Sequence, residues 1–588
     1  MKSFSYFVEQ IYHSCKMNVR QKLNMQPHTP FNIFRFFVFC LFIASCGSKG
    51  PAKPVIVDNP EKMDEKVTEL MSDFIQSAIH DKNLLNDSIQ LNQEKTVEFI
   101  YEQRKNEPLW SSKENWLPIG DSLFDFIRDA KQWGLFPQNY HFKDLDSIRQ
   151  LFIADTSGKG SKSDANLWAV SDILLTDALA QVFSDVKLGR LQNDSVMKRT
   201  DSVLTNEFIN EKLNEVLQTK SLSEVLQSLE PQHKGYYELK AGLKNFLDSA
   251  DFRSFTQLPF PYYDTVKFRQ LLKKRLIEGG YFATDSIGSD TSKIRAGVKR
   301  FQLNKKITAD GKAGGETIRL LNNNDDVKFH RIAITLDRFK MLPEKMPEKY
   351  IWVNLPSYQL RIIENDTVKL SSKVVVGKPL TRTPVLTSSV YEMITYPKWT
   401  IPNSIVIKDI IPGMRRDSSY LAKKGYSLFD KEGEEISPDS VDWYKYTKGL
   451  PYNVVQGSGD ANALGIMKFN FYNKYQVYMH DTNERYLFSR DARSLSHGCV
   501  RVQEWSKMSN YFLSNDSTRY KNPDSLQAVR DSIVVWLQKK EKHTVSFKNK
   551  VPVFFRYFSC EGKNGTIIFY DDIYGEDALL RQKYYSHK

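Results

Sequence analysis

Cys499 has His497 two residues before it, His480 nineteen before it and Arg501 two after it. A thiol attacks a carbonyl well only as the thiolate, and an unperturbed cysteine, with a pKa of about 8.5, is mostly protonated at neutral pH. An activated cysteine therefore needs a histidine within reach and a positive surrounding. Gly498 lets the backbone approach a bound group closely. The amides of Gly498 and Cys499 can then serve as an oxyanion hole for the charge that develops in acyl transfer. On these residues alone the chain is a candidate thiol acyltransferase or protease, against the competing reading of a buried thiol beside structural histidines. The other four cysteines, Cys15, Cys40, Cys46 and Cys560, are too few and too scattered for a disulfide framework or a zinc site. Cys560 ends the strand-like stretch Phe555 to Ser559 and reads as a packed residue.

Such a group must sit on a rigid framework. From Lys349 the apolar period is two. Tyr350 to Leu355 and Tyr358 to Ile363 read as strands, and the turn Glu364-Asn365-Asp366-Thr367 leads to Val368-Lys369-Leu370. Val374 to Gly377 and Val390 to Thr395 follow, rich in β-branched residues. Lys408 to Lys448 turns polar and helix-like, as expected of an insertion, and its place beside the catalytic strands suggests a lid. Strands are expected again at Tyr475 to Met479, near Val551 to Tyr557 and at Thr566 to Tyr570.

Ahead of this domain the pattern is helical. Ile173, Leu174, Ala178, Leu179, Val182, Phe183 and Val186 fall mostly three or four apart, which predicts a helix from Ser171 to Gly189 capped by Ser171 or Asp172. Leu222 to Leu229 and Leu239 to Leu247 read alike, and the region holds no catalytic constellation. The N-terminus reads as an address. Phe31 to Ser45 is an apolar run of about 15 residues, short for a membrane span and suited to a signal peptide. Ile43-Ala44-Ser45-Cys46-Gly47 resembles a lipoprotein signal, with lipid on Cys46, and a Gly-, Pro- and Lys-rich tether follows. The net charge of +13 favours anionic partners, yet acids and bases are interspersed, as on an ordinary solvated surface.

Two resemblances sharpen this picture. Leu272, Leu276, Gly280-Tyr281, then Val298, Phe301-Gln302, then Ala309-Asp310-Gly311 and Thr317 are similar to a small peptidoglycan-binding module of three helices. The loop Thr284 to Asp290 lacks the second Asp-Gly pair common in that family. His480 followed by Ser496-His497-Gly498-Cys499-Val500-Arg501 resembles the L,D-transpeptidase signature. Asn462-Ala463-Leu464-Gly465 with Lys468-Phe469, Tyr396 to Pro402, Phe488 to Arg493 and Val374 to Pro384 resemble further blocks of that family's larger branch. Val455 to Gly459 departs from its usual R-Q-x-P-G-like segment, so a substrate contact is expected to be missing there.

The resemblance implies Cys499 as nucleophile and His480, rather than His497, as base, with the backbone at Asp481 orienting the ring. Ser496, His497, Gly498 and Arg501 would shape the acyl pocket. The implied reaction joins peptidoglycan stem peptides into 3-3 cross-links; L,D-carboxypeptidase action or D-amino-acid exchange at the same site is the alternative, and a non-catalytic wall-binding lipoprotein the remote one. No metal or organic cofactor is implied and no nucleic acid; the partners are stem peptides, wall glycan and a membrane reached through Cys46, in the periplasm or cell envelope. The expected fold is a multidomain α+β chain. It comprises a signal peptide (1-45), tether (46-60), helical scaffold (61-260), three-helix peptidoglycan-binding-like module (265-324), mainly-β catalytic domain with an insertion (349-545, insertion about 408-448) and a C-terminal β segment packing on the catalytic domain (546-588).

Overall fold

The scaffold is built around a helix that is apolar on all sides. The computed structural model describes residues 53–80, 84–85, 89–156, 158, 160–191, 203–282, 291–519 and 522–585; the leader, Cys46 and the Thr284 to Asp290 loop lie outside them. Helices α1 (Met63–His80), α2 (Glu94–Gln103), α3 (Pro118–Arg128) and α4 (Phe142–Ala154) pack around α5 (Ala165–Lys187). α5 is long and apolar enough to cross a membrane by composition, and is buried within the scaffold. It starts six residues before the expected Ser171, because Asp164 caps it by accepting from the Asn166 amide. Ser171 and Asp172 lie inside the helix and are fully buried. The Asp172 carboxylate accepts from the amides of Leu109 and Trp110 and from the Tyr101 hydroxyl (2.9, 3.0 and 2.6 Å). A buried carboxylate needs such donors. The scaffold closes with α6 (Asn206–Thr219), α7 (Leu222–Leu229) and α8 (Lys234–Leu247).

The module consists of α9 (Thr265–Glu278), α10 (Thr291–Asn304) and α11 (Gly315–Asn322) around Leu272, Leu276, Val298, Phe301 and Ile318. Its quoted motifs have a common cause. Buried Gln302 donates to the Asp310 carboxylate (2.9 Å), the Lys312 carbonyl (3.1 Å) and the Thr317 hydroxyl (3.1 Å), and accepts from the Gly311 amide (2.8 Å). One amide therefore ties the Asp-Gly turn to two helices. α12 (Asp325–Lys340), which the sequence reading did not single out, links this module to the β domain.

The β domain has strands β1 (Lys349–Asn354), β2 (Gln359–Glu364), β3 (Thr367–Gly377), β4 (Leu386–Thr395), β5 (Trp399–Thr400), β6 (Tyr426–Phe429), β7 (Glu435–Ile436), β8 (Asn453–Gln456), β9 (Met467–Phe471), β10 (Met479–His480), β11 (Ser494–Ser496), β12 (Val500–Val502) and β13 (Thr544–Arg556). Nine of them form one sheet in the order β11-β3-β12-β10-β9-β4-β13-β1-β2, and β2 also pairs with β3, which closes the sheet like a barrel. Inward residues such as Ile351, Met393, Phe469, Met479, Val500 and Val553 fill it. The strand expected at Tyr475 to Met479 is mostly loop; only Met479 and His480 pair. Helices α13 (Trp505–Asn515) and α14 (Pro523–Lys539) follow β12.

The insertion is wider than 408-448 and partly β. β7-β6-β8-β5 form a separate sheet, and Ile401, Val406, Ile410, Leu428 and Val454 share a core with it. The C-terminal segment is not an addition to a finished domain. β13 runs inside the barrel between β4 and β1, and the strands β14 (Cys560–Lys563) and β15 (Thr566–Phe569) then pack on scaffold helix α8. The chain closes with a helix, α15 (Glu576–Tyr584), against α12. Cys560 is fully buried, its thiol 3.3 Å from the Thr335 hydroxyl and pushed up to about 12 by burial.

Candidate active site

Strand register decides which side chains share a face. β10 and β12 run parallel, with Met479 opposite Val500 and His480 opposite Arg501. The Val500 amide donates to the Tyr478 carbonyl (3.0 Å), which extends the register to Tyr478 beside Cys499. Successive side chains alternate. Met479, Val500 and Val502 point into the barrel core, so Tyr478, His480, Cys499 and Arg501 share the opposite, outer face. β9 adds Lys468 opposite His480, while Phe469 points inward. Thus Cys499 and His480, nineteen residues apart, lie on neighbouring strands and on one face.

The turn before β12 is braced from both sides. Ser496 Oγ donates to the Cys499 carbonyl (2.6 Å) and accepts from the Gly498 amide (3.1 Å). That leaves the Cys499 amide, and not the Gly498 amide, as the donor without a hydrogen-bond partner among the described residues. Gly498 has φ +122, a region that L side chains rarely adopt. Its carbonyl accepts from the Thr383 hydroxyl (2.8 Å), which in turn accepts from the Gly377 amide (2.9 Å). The Ser496 carbonyl accepts from the Lys378 amide (2.9 Å) and the Thr381 hydroxyl (3.0 Å). The block Val374 to Pro384 is therefore the support of the cysteine turn. Arg493, buried, donates to the carbonyls of Val374 and Tyr358 (both 3.1 Å), and Phe488 packs with Val375.

Asn462 organises the other side. Fully buried, it donates to the carbonyls of Pro397 (3.1 Å) and Gly457 (2.8 Å) and accepts from the Leu464 amide (2.8 Å). Gln456 accepts from the Ala463 amide (2.9 Å), and Ser458 donates to the Tyr396 carbonyl (2.8 Å). So Val455 to Gly459, whatever its departure from the family pattern, is engaged in holding this turn. Gly465, at φ +64, lets the chain pass close to Asp481, whose carboxylate accepts from the Ile466 amide (3.1 Å) and from Arg485 (2.7 Å).

The electrostatics follow from burial. Burial pushes the Cys499 thiol up, opposed by hydrogen bonding from Tyr478 and by the charges of Lys468 and Arg501. Burial, and then the Arg501 charge, pushes His480 down to about 3, so its imidazole is neutral at pH 7. Its Nδ1 is buried without a close hydrogen-bond partner, and hydrogen bonding to the backbone of Asp481 and Leu464 offsets part of the shift. Arg501 pairs with Glu484 (3.0 Å). His497 is not on the shared face: it is half exposed, and its Nε2 lies 3.1 Å from the Asp409 carboxylate in the insertion. Asp409 sits in a π-turn, Val406–Ile410, a local geometry that recurs at functional sites. Among the described residues no cluster of His, Cys, Asp or Glu is arranged to hold a metal ion.

Sequence reasoning assigned no role to Tyr478, Lys468 or Asp409. Tyr478 was legible, since it stands two residues before His480 on an extended segment and so on its face. Lys468 stood in a quoted motif without a role. Asp409 carries no signal, because only the folded insertion brings it to His497.

Comparison with known proteins fits this arrangement. Residues 348–513 match the family profile described as the L,D-transpeptidase catalytic domain. The β domain belongs to the L,D-transpeptidase family. Residues 95–243 match the profile of a scaffold domain, and residues 266–321 that of a "Putative peptidoglycan binding domain". A Haemophilus influenzae protein named "Putative L,D-transpeptidase" is 32% identical over 250 residues, 42% of this chain and 48% of that protein; the chain thus spans about half the length of this curated relative. Among solved structures, an L,D-transpeptidase from Mycobacterium smegmatis aligns with a TM-score of 0.17 at 12% identity, over 36% of this chain and 58% of that one, a likeness too slight to carry any argument. The profile match ends at residue 513, short of β13, without which the barrel does not close.

Proposed function

We propose that this chain is a peptidoglycan L,D-transpeptidase of the cell envelope, with Cys499 as nucleophile and His480 as general base. The observation that carries this reading is the shared sheet face, where Cys499 stands one strand from a buried, neutral His480. A neutral imidazole accepts a proton; a protonated one does not. The Cys499 sulfur attacks the carbonyl of the third stem residue as its proton passes to His480. The C–N bond to the terminal D-alanine breaks, the proton returns to the departing amine, and a thioester remains. An acceptor amine then attacks the thioester, gives its proton through His480 to the sulfur, and forms a 3-3 cross-link. The Cys499 amide is the oxyanion donor, while Ser496 and Gly498 hold the turn that aims it, and His497 and Arg501 border the acyl pocket. The module would hold wall glycan, and a lipid on Cys46 would tether the chain to a membrane.

The test is incubation of the protein with purified disaccharide-tetrapeptide, followed by mass spectrometry, with Cys499→Ala as control. A dimer lacking one D-alanine, absent with the control, is the expected product. A tripeptide in its place would make water the acceptor and the enzyme a carboxypeptidase. Unchanged substrate with folded protein would refute the catalytic reading.

A further inference from the structure

We propose that Lys468 is the cation that makes Cys499 reactive, by offsetting the negative charge that the sulfur carries as thiolate. The proposal rests on the reading of Cys499 as nucleophile and adds to it a positioning residue with no assigned role. Lys468 lies on β9 directly opposite His480, on the face that bears Cys499. Its ammonium sits 4.0 Å over the ring of Tyr478, the residue beside Cys499 across the strands. Among the described residues no carboxylate lies within ion-pair distance of this ammonium, although the side chain is partly buried. Arg501, the other cation on this face, differs: Glu484 pairs with it at 3.0 Å.

The need for such a cation follows from His480. In many thiol enzymes an imidazolium can balance the thiolate. Here the buried His480 is held neutral, and the Arg501 charge beside it adds to that effect. The resting site is therefore a thiol, an imidazole and an unpaired ammonium. The groups that act on the sulfur are Tyr478, just before β10, Lys468 from β9 and Arg501 from its own strand, with His480 opposite Arg501 on the neighbouring strand. Burial pulls the Lys468 ammonium below its ordinary pKa, which Cys499 and Glu392 from β4 oppose and Lys542 from before β13 reinforces. Of the two cations, Lys468 and Arg501, only Lys468 lacks a paired acid among the described residues. A ring face holds an ammonium while leaving its charge available.

The experiment is the pH dependence of Cys499 alkylation in the full chain by iodoacetamide, read on the Cys499 peptide by mass spectrometry. In that reaction the thiolate sulfur displaces iodide from carbon, and the thiol proton goes to buffer. Lys468→Met should raise the midpoint by about one pH unit and slow alkylation about ten-fold at pH 7, as expected for loss of one nearby opposite charge. Lys468→Arg should restore most of the difference, which repacking alone would not do. An unchanged midpoint in Lys468→Met, with wild-type melting behaviour, overturns the proposal. So does a loss confined to the anionic reagent iodoacetate, which would place Lys468 on a substrate carboxylate instead. Turnover of tetrapeptide, measured separately, decides the transpeptidase reading whatever this profile shows.

Discussion

His480 makes the folded protein sensitive to acid, and the size of the effect can be worked out. Its pKa is held at about 3 in the folded chain against 6.5 when exposed. Above pH 6.5 the group is neutral in both states and contributes nothing to the pH dependence. As pH falls below 6.5 the unfolded chain binds a proton that the folded one refuses, so stability falls with pH and the loss levels off only near pH 3. At 1.36 kcal/mol per pH unit, the loss between neutral pH and pH 5.0 is about 2 kcal/mol, and the full loss is about 5 kcal/mol. His480→Gln removes this term. Hydrogen exchange of the β9 and β13 peptides, compared between wild type and variant at pH 7.5 and pH 5.0, measures it, because intrinsic exchange rates cancel in the comparison. The variant should gain about 2 kcal/mol on wild type over that interval. An equal difference between the two proteins at both pH values would show that His480 is not held neutral by burial, and the base assignment would lose its physical ground.

Four further outcomes are expected. Because the resting pair is thiol and imidazole, kcat/KM for tetrapeptide should stay flat from about pH 4 to about pH 8; a bell centred near neutrality would mean a thiolate–imidazolium pair. Gly498→Ala forces a side chain into positive φ, at a cost of about 1–3 kcal/mol localised at the nucleophile turn, and should cut acylation by a β-lactam more than ten-fold with little change in melting temperature. Asn462→Ala leaves the buried Pro397 carbonyl without this donor, at about 1–3 kcal/mol, and should lower the melting temperature and loosen protease protection of the insertion. Asp409→Ala should change turnover by no more than about five-fold, since a half-exposed contact of this kind is worth about 1 kcal/mol or less.

How much of this was legible depended on whether a pattern had one cause. β1, covered on both faces, was readable from its run of β-branched and aromatic residues, whereas β2 was readable because its burial alternates. Leu222 to Leu229 was readable as a helix for the matching reason at a period near 3.6. α5 was misplaced at its start because a helix buried all round has no polar face to mark its limits, and the cap, Asp164, stands before the periodic residues. α12 went unnoticed because its charged residues read as solvent-facing yet are buried in ion pairs: Arg331 and Arg338 with Asp577 near the end of the chain, and Asp337 with Lys340 of the same helix. Cys499 and His480 were legible as types at a family spacing. That they share a face needed the β10–β12 register, and the charge state of His480 needed its burial, neither of which a one-dimensional pattern contains.

The insertion shows why magnitudes decide what a contact means. The contact between Asp409 and His497, whose imidazole burial holds below its ordinary pKa, invites a reading as a latch that closes the insertion over the nucleophile turn. Both partners are about two-fifths exposed, at 43% and 39%, and a pair so placed contributes about 1 kcal/mol or less. That cannot by itself hold a unit with its own four-stranded sheet and core. The stronger attachment lies at the base of the insertion. There the Asn462 amide, 1% exposed, bonds to the chain before β5 and after β8, and leads into the turn before Lys468. Buried bonds of that kind cost more to lose than an exposed pair returns. The insertion is thus anchored at its root by buried Asn462, and the Asp409–His497 contact adds little to that attachment.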